Sequence, residues 1–296
     1  MLEFKDIELD DITIYKEFTK NTKEFSCENS FVNLLMWQPA YNYQMAVKDG
    51  QLIIKSGENG KTFFNLPFGN DFEKGIALIK EYCECDTPNF WVQEGPNFEL
   101  FKARHSDSYR FIECRDSFDY IYLQTDLAEL KGKKYHSKRN HINTFSKKYE
   151  WRYEPITNEN KDKIKLCAKK WYEENPDHAD SLMVFEKSGI ETMLENIEKL
   201  KVSGGAIFIE DKAVAFTLGS KLGEDVFNIY IEKALKDYSG AYSVINWQFA
   251  KNELSDFKYI NREDDLGLEG LRKAKLSLKP CMLLKKYICY AENSHE

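Results

Sequence analysis

Three strand-sized apolar segments follow one another in the second half of the chain, and they restrict its fold more than any other feature. The segments are GAIFIE (205–210), AVAFTLGS (213–220) and DVFNIYIE (225–232). Short apolar runs bounded by turn residues are typical of buried strands. The next segment, GAYSVINWQFAKNEL (240–254), has helical spacing, and KYINRED (258–264) begins as another strand. The sequence therefore predicts a three-stranded meander, a helix and a returning strand.

The first half of the chain repeats this order of elements. YNYQMAV (41–47) and QLIIK (51–55) flank an Asp-Gly step, which is a strong hairpin signal between apolar segments. TFFNLPF (62–68) is a third strand, DFEKGIALIKEYC (71–83) has helical spacing, and FWVQEG (90–95) is a returning strand. The two halves are thus similar in pattern.

Strands and helices that alternate around an antiparallel meander indicate a mixed α/β (α+β) fold with two mixed-sheet units. A chain of 296 residues is long enough for about two domains. We predict an N-terminal unit over residues 1–125, a basic linker helix over 126–150 and a C-terminal unit over 151–296.

The composition favours an ordered cytoplasmic protein. Hydrophobic residues make up 42% and aromatic residues 14% of the chain, which is enough for packed cores. The apolar runs are far shorter than the roughly 18 residues that a membrane span needs. The acidic start MLEFKDIELDD has no signal-peptide core. We expect no transmembrane segment.

The cysteines argue against a disulfide framework and against a structural zinc site. Their number, seven, is odd, and they form no C-x-x-C pair. Cys83 and Cys85 are separated by one residue, which is too close for the usual spacing of zinc ligands. We expect reduced cysteines and no metal site.

A cationic segment lies at the join of the two halves of an acidic protein. The formal net charge of the chain is -7, yet residues 131–149 contain seven lysines and arginines and no carboxylate. Asp126 and Glu129 have the spacing of a capping box at the start of a helix, which Gly132 then weakens. Such a segment is either a solvated helix or a site for an anion.

The helical projection of this segment does not place all of its cations opposite the apolar stripe. At about 100° per residue, four apolar side chains fall in one sector: Tyr135, Ile142, Phe145 and Tyr149. Lys138 falls inside the same sector, and Lys134 and Arg139 lie at its edges. Lys138 either snorkels between aromatic rings into water or lines a cleft between the halves and meets an anion.

A second charged segment, INREDDLGLEGLRKAKLSLKP (260–280), follows a predicted strand. Charged side chains are concentrated there around Gly267 and Gly270: Arg262, Glu263, Asp264, Asp265, Glu269, Arg272, Lys273 and Lys275. The carboxyl end of a strand is where α/β folds often place their sites. The alternative is a charged surface turn that leads into a capped helix.

A third segment connects the strand at 225–232 to the helix that starts near Ala241. Glu232 ends the strand, and polar residues fill the loop: Lys233, Lys236, Asp237, Tyr238, Ser239 and Gly240. Backbone N–H groups at the start of a helix favour anions. Glu232 is either a base at the edge of a cleft or a surface carboxylate.

These three segments together resemble a known family. GKKYHSKRNHINTF, IEKALKDYSGAYSVINWQFAK and YINREDDLGLEGLRKAKLSLKP are similar to the phosphatidylglycerol lysyltransferase C-terminal domain family, and the resemblance covers nearly the whole chain. That family has a tandem GNAT (acyltransferase) fold, similar to that of the Fem aminoacyl transferases. The resemblance implies acyl transfer without a metal or a redox cofactor. Membrane-bound relatives move an aminoacyl group from tRNA to a lipid head group.

The resemblance leaves two acyl donors open. In GNAT folds the donor usually lies against the loop between the fourth strand and the next helix, here residues 233–241. The usual coenzyme A loop reads R/Q-x-x-G-x-G/A, whereas this chain has KDYSGA, in which Gly240 is the convincing match. The departure favours aminoacyl-tRNA over acyl-coenzyme A. The acceptor is a small molecule, a peptide or a lipid head group, although the negative net charge opposes docking on an anionic membrane.

The residue types and the resemblance together suggest catalytic roles. An amine or hydroxyl acceptor must lose a proton as it attacks, and a carboxylate near the strand ends is a suitable base. Glu232 and Glu263 are the first candidates and Asp265 is the third. Tyr238 is the candidate for protonating the leaving group.

The same reasoning suggests binding roles. The candidates for holding the donor and its phosphates are Lys134, Lys138, Arg139, Lys236, Ser239 and Gly240. The candidates for holding a substrate are Arg262, Arg272 and Asn261, because a guanidinium clamps a carboxylate or phosphate with two bonds.

Three functions remain open from the sequence. They are an aminoacyl-tRNA-dependent transferase, a coenzyme A-dependent N-acyltransferase, and a catalytically silent tandem module that binds an anionic ligand or RNA. The first and the third both account for the cationic helix, since a binding module keeps the cations and loses only the chemistry. The first half has VQEGPNFELFK where the second has NREDDLGLEGLRK, so we expect the second unit to be the active one.

Overall fold

The computed structural model of the chain describes residues 1–20, 22, 25–58, 60–176 and 181–292. The described chain divides into two compact units. The first unit comprises Met1–Asp119, Asp264–Gly267 and the chain from Leu284, and the second comprises Tyr120–Glu263 and Leu268–Leu283. Each unit has one mixed sheet with helices packed on it, which agrees with the predicted α/β (α+β) class.

Eleven α-helices lie within the described residues. In chain order they are α1 (Ile12–Thr19), α2 (Phe31–Tyr41), α3 (Phe72–Cys83), α4 (Pro96–His105), α5 (Gln124–Glu129), α6 (His136–Lys148), α7 (Lys161–Glu174), α8 (Ser181–Glu195), α9 (Ile197–Leu200), α10 (Ala241–Glu253) and α11 (Glu269–Ser277). The helices predicted over 71–83 and 240–254 are confirmed as α3 and α10.

The same residues form fifteen strands. They are β1 (Lys5–Asp6), β2 (Gln44–Lys48), β3 (Gln51–Glu58), β4 (Lys61–Phe64), β5 (Phe68–Gly69), β6 (Phe90–Gln93), β7 (Tyr109–Glu113), β8 (Asp119–Leu123), β9 (Trp151–Pro155), β10 (Val202–Ile209), β11 (Lys212–Lys221), β12 (Val226–Ala234), β13 (Tyr259–Asn261), β14 (Met282–Leu284) and β15 (Lys286–Ala291). The meander predicted over 205–232 is confirmed as β10, β11 and β12.

The sheet of the first unit has the order β1-β2-β3-β4-β6-β15-β7, and the short β5 pairs with β3. β2, β3 and β4 form an antiparallel meander, and α3 leads to β6, which lies parallel to β4 at the pair Phe64–Phe90. The hairpin between β2 and β3 turns at Asp49 and Gly50, whose φ angles of 52° and 76° are those of a two-residue hairpin turn. The predicted Asp-Gly hairpin is confirmed.

The sheet of the second unit repeats this plan in the order β14-β8-β13-β12-β11-β10-β9. β10, β11 and β12 are antiparallel, and α10 then leads to β13, which lies parallel to β12. A helix is needed at this step because parallel neighbours cannot be joined by a tight turn.

Each sheet takes one strand from the other half of the chain. β15, near the end of the sequence, lies between β6 and β7 in the first sheet, and β8 lies beside β13 in the second. The units are therefore discontinuous in sequence, unlike the contiguous ranges 1–125 and 151–296 that the pattern suggested. Periodicity reveals that a strand exists but does not say which sheet receives it.

The apolar stripe of the basic segment anchors α6 in the core of the second unit. Tyr135 and Phe145 are 0% exposed and belong to one cluster with Val244 and Ile245 of α10. Burial of apolar surface contributes about 25 cal/mol per Å² to stability, so two fully buried aromatic rings fix this helix firmly. The predicted apolar sector is confirmed.

The start of α6 differs from the expected capping pattern. α5 ends at Leu130 in the left-handed conformation, and Gly132, with a φ of 87°, separates it from the turn that leads into α6. Asp126 lies inside the first turn of α5 and does not cap a helix. Its carboxylate instead pairs with Lys134 at 2.8 Å. The predicted capping box is therefore wrong.

Candidate functional site

The parallel strands β12 and β13 separate soon after they pair. Their pairing runs from Val226–Tyr259 to Asn228–Asn261, although β12 continues to Ala234. Beyond that point the carboxyl ends of the two strands diverge. The ends of parallel strands are a common place for a site, because side chains of both strands and of the following loops meet there.

A β-bulge in β12 sets the direction of the Glu232 side chain. β11 pairs at Gly219–Ile229 and next at Leu218–Ile231, so Tyr230 is an extra residue in β12. An extra residue reverses the alternation of side chains beyond it. Glu232 consequently points to the face that α10 covers, where its Oε2 accepts a hydrogen bond from Asn246 Nδ2 at 3.4 Å.

Glu232 forms an ion pair with Arg262, the residue that follows β13. Arg262 Nη2 lies 2.6 Å from Glu232 Oε1, and the two side chains are only 12% and 9% exposed. The backbone of Arg262 is fixed on both sides, since its N–H donates to the Tyr120 carbonyl at 3.0 Å and its carbonyl accepts from Lys275 Nζ at 2.5 Å. The structure thus holds the guanidinium at the diverging strand ends.

Lys138 of α6 lies near this ion pair without joining it. Its side chain is half-buried, and burial together with the positive charge of Arg262 lowers the pKa of its ammonium group, whereas Glu232 acts in the opposite direction. Among the described residues Lys138 makes no hydrogen bond or ion pair. Arg262 Nη1 is also buried without a hydrogen-bond partner in that part of the chain. Two cationic groups with unused donors therefore lie beside one carboxylate.

Glu263, the other leading candidate base, points to the opposite face of the sheet. Asn228 pairs with Ser220 of β11 and Glu232 pairs with Thr217, so these two β12 side chains lie on opposite faces, and Glu263 is bonded to Asn228. Glu263 Oε1 accepts from Asn228 Nδ2 at 2.9 Å, and its N–H donates to Asn261 Oδ1 at 2.6 Å. Both asparagines are 0% exposed. Glu263 and Asn261 thus belong to a buried amide network, apart from the pair that Glu232 forms.

Lys134 and Arg139, two candidates for phosphate binding, are already engaged in the turn before α6. Lys134 pairs with Asp126, and its ammonium also lies 4.9 Å from the centroid of the Tyr135 ring. Arg139 Nη1 donates to the carbonyls of Leu130 and Gly132, the latter at 2.8 Å. These contacts stabilise the end of α5, where carbonyl groups lack helical partners. Of the three cations predicted on this helix, Lys138 is the one beside Glu232.

Asp265 and Arg272 occupy different surroundings. Asp265 belongs to the first unit, where it is 0% exposed, pairs with Arg115 at 3.2 Å and accepts from the Gly267 N–H at 3.0 Å. Arg272 is half-buried on α11 in the second unit. Because its oxygens are bonded to Arg115 and to a backbone N–H, Asp265 stabilises the local fold.

The loop between β12 and α10 contains the remaining candidates. Lys236 donates from Nζ to the Glu174 carbonyl at 2.5 Å. The Tyr238 ring is half-buried and packs against Tyr149 with centroids 5.3 Å apart. Ser239 is exposed. Lys236 and Tyr238 therefore fix this loop to neighbouring helices and to the end of α6.

Gly240 has a packing role. Its φ of 98° is one that L side chains rarely adopt, and a Cβ built on it would lie 2.9 Å from the His141 carbonyl oxygen of α6. The N–H of the next residue, Ala241, already donates to the Tyr238 carbonyl at 3.0 Å. The glycine thus lets the start of α10 approach α6 closely.

Sequence reasoning missed three residues of this site, Asn228, Asn246 and Lys275, in the roles that they have. A signal existed for the two asparagines, since each interrupts an apolar run, in DVFNIYIE and in SVINWQF. Buried polar side chains need hydrogen-bond partners, so a polar residue inside a buried stripe indicates a partner nearby. Lys275 had no comparable signal, because its partner is a backbone carbonyl.

The equivalent strand pair of the first unit is built differently. β4 and β6 are parallel at Phe64–Phe90, and these two rings are 1% and 0% exposed. Their centroids lie 6.3 Å apart, within an aromatic core. The parallel pair of the first unit thus lies in hydrophobic packing, whereas that of the second unit ends next to an ion pair.

The described ranges contain no group of three or more His, Cys, Asp and Glu side chains arranged to hold a metal ion. None of the helices in those ranges is long and apolar enough to span a membrane. The seven cysteines are free thiols.

Comparisons with known proteins give close and distant matches. The model of a family described as "Phosphatidylglycerol lysyltransferase, C-terminal" matches residues 19–290. A solved structure of a conserved protein of unknown function from Bacteroides thetaiotaomicron is 35% identical, with a TM-score of 0.90 over 99% of this chain and 100% of that chain. An uncharacterized protein of Mycoplasmoides gallisepticum is 26% identical over 179 residues, which is 58% of this chain and 56% of the relative's length.

More distant structures share the fold. L-PGS from Bacillus licheniformis is 16% identical, with a TM-score of 0.64 over 98% of this chain and 94% of that one. FemX is 9% identical, with a TM-score of 0.62 over 98% of both chains. The predicted tandem GNAT-like fold and the predicted family resemblance are confirmed.

Proposed function

Since this chain belongs to the phosphatidylglycerol lysyltransferase C-terminal family, we propose that its second unit transfers an aminoacyl group from aminoacyl-tRNA to an amine or hydroxyl acceptor. Family and fold point to an aminoacyl-transferase-like enzyme. The proposal for the donor rests on one observation: Lys138 and Arg262 have unused donors beside the Glu232 carboxylate.

The charges of Lys138 and Arg262 favour binding of a phosphate. Lys138 and Arg262 repel each other, and this repulsion contributes to the lowered pKa of Lys138. A phosphate between them would remove the repulsion and form charge-assisted hydrogen bonds, which are stronger than neutral ones. The 3′ end of tRNA brings phosphates close to the aminoacyl ester.

The loop before α10 favours this donor over acyl-coenzyme A. A pyrophosphate of coenzyme A needs open backbone N–H groups at the start of a helix. Here Gly240 is used to pack α10 against α6, and the Ala241 N–H is already bonded. The loop also lacks the R/Q-x-x-G-x-G/A pattern.

The reaction assigned to this site is attack of the acceptor on the ester carbonyl of the donor. Glu232 takes the proton from the amine or hydroxyl as the new bond to the carbonyl carbon forms. Arg262 Nη1 donates to the oxyanion of the tetrahedral intermediate. The ester C–O bond then breaks, and the tRNA ribose oxygen leaves with a proton that Glu232 returns. Tyr238, whose ring packs against Tyr149, is the alternative acid for this last step.

The proposed base and oxyanion donor also indicate which acceptors to expect. A base beside an oxyanion donor activates a primary amine of a small molecule or peptide as readily as the hydroxyl of a lipid head group. The family description names phosphatidylglycerol, whose head group offers such a hydroxyl. Vesicles of that lipid and soluble amines are therefore the acceptors to compare.

Binding of charged and uncharged tRNA across a salt series tests the donor. We expect binding that weakens as salt rises, because phosphate contacts release counterions. The Lys138→Ala variant should lose affinity and show a shallower salt slope. Lys147→Ala is the matched control, since Lys147 is exposed on the same helix.

The outcomes separate the three functions. Binding that prefers charged tRNA and transfer of the aminoacyl group to an acceptor support the proposal. Binding without transfer to any acceptor would indicate a silent RNA-binding module. No tRNA binding even at low salt would refute the donor, and acyl-coenzyme A would then be the donor to test.

A further inference from the structure

Tyr242, in the first turn of α10, is unusual in its exposure. In the described part of the chain it is the one aromatic residue that is exposed, at 45%, while the others are buried or half-buried. The sequence contains 20 Phe, 17 Tyr and 5 Trp residues, so this protein otherwise shields its rings consistently. An isolated exposed side chain needs no explanation, but this one is also held in place.

A chain of side-chain contacts fixes the Tyr242 ring. Trp171 Nε1 of α7 donates to the Tyr242 hydroxyl at 3.0 Å. The Trp171 ring is held in turn by Lys233 of β12, whose ammonium lies 3.8 Å from the ring centroid. Lys233 pairs with Glu186 of α8 at 2.8 Å, with side chains only 11% and 22% exposed. Contacts from α7, α8 and β12 thus hold the exposed Tyr242 together with the half-buried Trp171.

Fixing an exposed ring in this way costs free energy, which is offset if the ring binds a ligand. Ordering a side chain loses rotamer entropy, and a nearly buried ion pair costs desolvation free energy. An exposed ring recovers little of either cost through its own burial. A rigid, solvent-exposed tyrosine, held by a tryptophan that itself lies against a cation, has instead the properties of a platform for a flat π-system.

The platform is close to the proposed reaction centre. Glu232 and Lys233 are consecutive residues of β12, so their side chains point to opposite faces of the sheet, where one pairs with Arg262 and the other lies against Trp171. Burial of the hydroxyl end raises the pKa of the Tyr242 phenol, and the nearby Glu232 carboxylate contributes to that rise. Tyr242 also lies one turn before Asn246 on the same face of α10, and Asn246 donates to Glu232, so a ligand at Glu232 is within reach of Tyr242.

We propose that Tyr242, held by Trp171, is a stacking platform for the terminal nucleobase of the donor RNA. The inference rests on the proposed function, because it assigns the base next to the aminoacyl ester to this surface. In every tRNA that base is adenine. Stacking would fix the position of the ester relative to Glu232, while Lys138 and Arg262 hold phosphate and carbonyl oxygens.

Binding of labelled CCA trinucleotide to the full chain, measured by fluorescence anisotropy, tests the platform. A second trinucleotide lacks the terminal base and keeps the phosphates. We expect loss of the base to weaken binding to the native protein by about tenfold, as is usual for one base stacked on an aromatic ring. Tyr242→Ala should cause a similar loss, whereas Tyr242→Phe, which keeps the ring, should cause a smaller one.

Loss of the terminal base and loss of the Tyr242 ring should not have additive effects on affinity. The Tyr242→Ala variant should bind both trinucleotides equally, because base and ring contribute to one contact. Leu166→Ala is the surface control, since Leu166 of α7 is 67% exposed and lies outside the platform. It should bind like the native protein.

The result also distinguishes this inference from the function on which it rests. If charged tRNA binds and the two trinucleotides bind the native protein equally, the platform is refuted and the donor proposal stands. If Tyr242→Ala binds the complete trinucleotide as well as the native protein does, the platform is also refuted. If neither tRNA nor either trinucleotide binds, both proposals fail.

Discussion

Glu232 and Arg262 join at 2.6 Å across the point where β12 and β13 separate. One residue comes from a bulged strand and the other follows the neighbouring parallel strand, so their ion pair connects two elements whose backbone pairing has ended. Both side chains are nearly buried, and removal of one partner would leave an uncompensated charge. The pair is therefore a structural link as well as the proposed reaction centre.

The Glu232→Gln variant should lose most of its transfer activity and keep its affinity for aminoacyl-tRNA. Glutamine has the same shape and leaves Arg262 a hydrogen-bond acceptor, but it cannot take the proton. We expect the transfer rate to fall by roughly 100-fold to 10,000-fold, as for loss of a general base. Radiolabelled aminoacyl-tRNA, offered with amines and phosphatidylglycerol vesicles as acceptors, measures transfer, and anisotropy measures binding.

Glu263→Gln is the matched comparison. Glu263 is bonded to Asn228 on the other face of the sheet, so its substitution should change transfer much less. Unchanged transfer in both variants would remove carboxylate base catalysis from the mechanism. A larger loss in Glu263→Gln than in Glu232→Gln would move the base to the opposite face.

Gly240 and Gly270, from two of the predicted segments, should respond in opposite ways to alanine. Gly240→Ala meets the His141 carbonyl at 2.9 Å in an unfavourable φ region, so we expect a loss of about 1–3 kcal/mol in the free energy of unfolding. Gly270→Ala in the first turn of α11 meets no atom of the described residues within 4 Å and should raise that free energy by about 0.5 kcal/mol. Urea unfolding measures both. Equal stability of Gly240→Ala and the native protein would contradict the packing role of Gly240.

Periodicity and turn chemistry predicted much of the local structure. The apolar runs gave β10, β11 and β12, and the Asp49-Gly50 step gave the hairpin, because these patterns depend on neighbouring residues alone. The sector that contains Tyr135 and Phe145 was also readable, since one face of a helix follows from spacing. Lys138 was recognised as exceptional for the same reason.

The site itself depends on features that no local pattern encodes. The bulge at Tyr230 shifts register against β11, and without it Glu232 would point away from Asn246. The exchange of β8 and β15 between sheets is likewise a long-range choice. For Arg139 the sequence suggested a phosphate from its charge, and its partners in the structure are the carbonyls of Leu130 and Gly132.

Lys286 should be essential to the stability of the first unit. It is 0% exposed and pairs with Asp119 at 2.8 Å and with Glu28 at 3.0 Å, so it fixes the start of β15. Lys286→Met would leave two carboxylates without their cation, and we expect a loss of roughly 3–5 kcal/mol in the free energy of unfolding. Denaturant unfolding followed by circular dichroism is the measurement.

The preceding lysine is a control for that result. Lys285 pairs with Glu113 at 3.0 Å, but the two side chains are 43% and 46% exposed. Exposed pairs contribute at most about 1 kcal/mol, so Lys285→Met should change stability little. Similar losses in the two variants would show that the buried ion cluster has no special role.

Lys138→Met should separate stability from donor binding. Burial and Arg262 lower the pKa of Lys138 in the folded protein, so the folded state holds its proton less tightly than the unfolded state does. Stability of the native protein should therefore rise as pH increases from the lowered pKa towards the usual value of about 10.5. Methionine removes the buried charge, and we expect the melting temperature at pH 7 to rise by about 2 °C.

The advantage of Lys138→Met should shrink as pH rises, because the native lysine loses its charge in the same range. Calorimetry from pH 7 to pH 10 measures the difference, with Lys147→Met as the exposed control on α6. The variant should at the same time lose affinity for tRNA, since the methionine offers no charge to a phosphate. A variant that is less stable at pH 7, or that binds tRNA as the native protein does, would show that Lys138 supports the fold and not the donor.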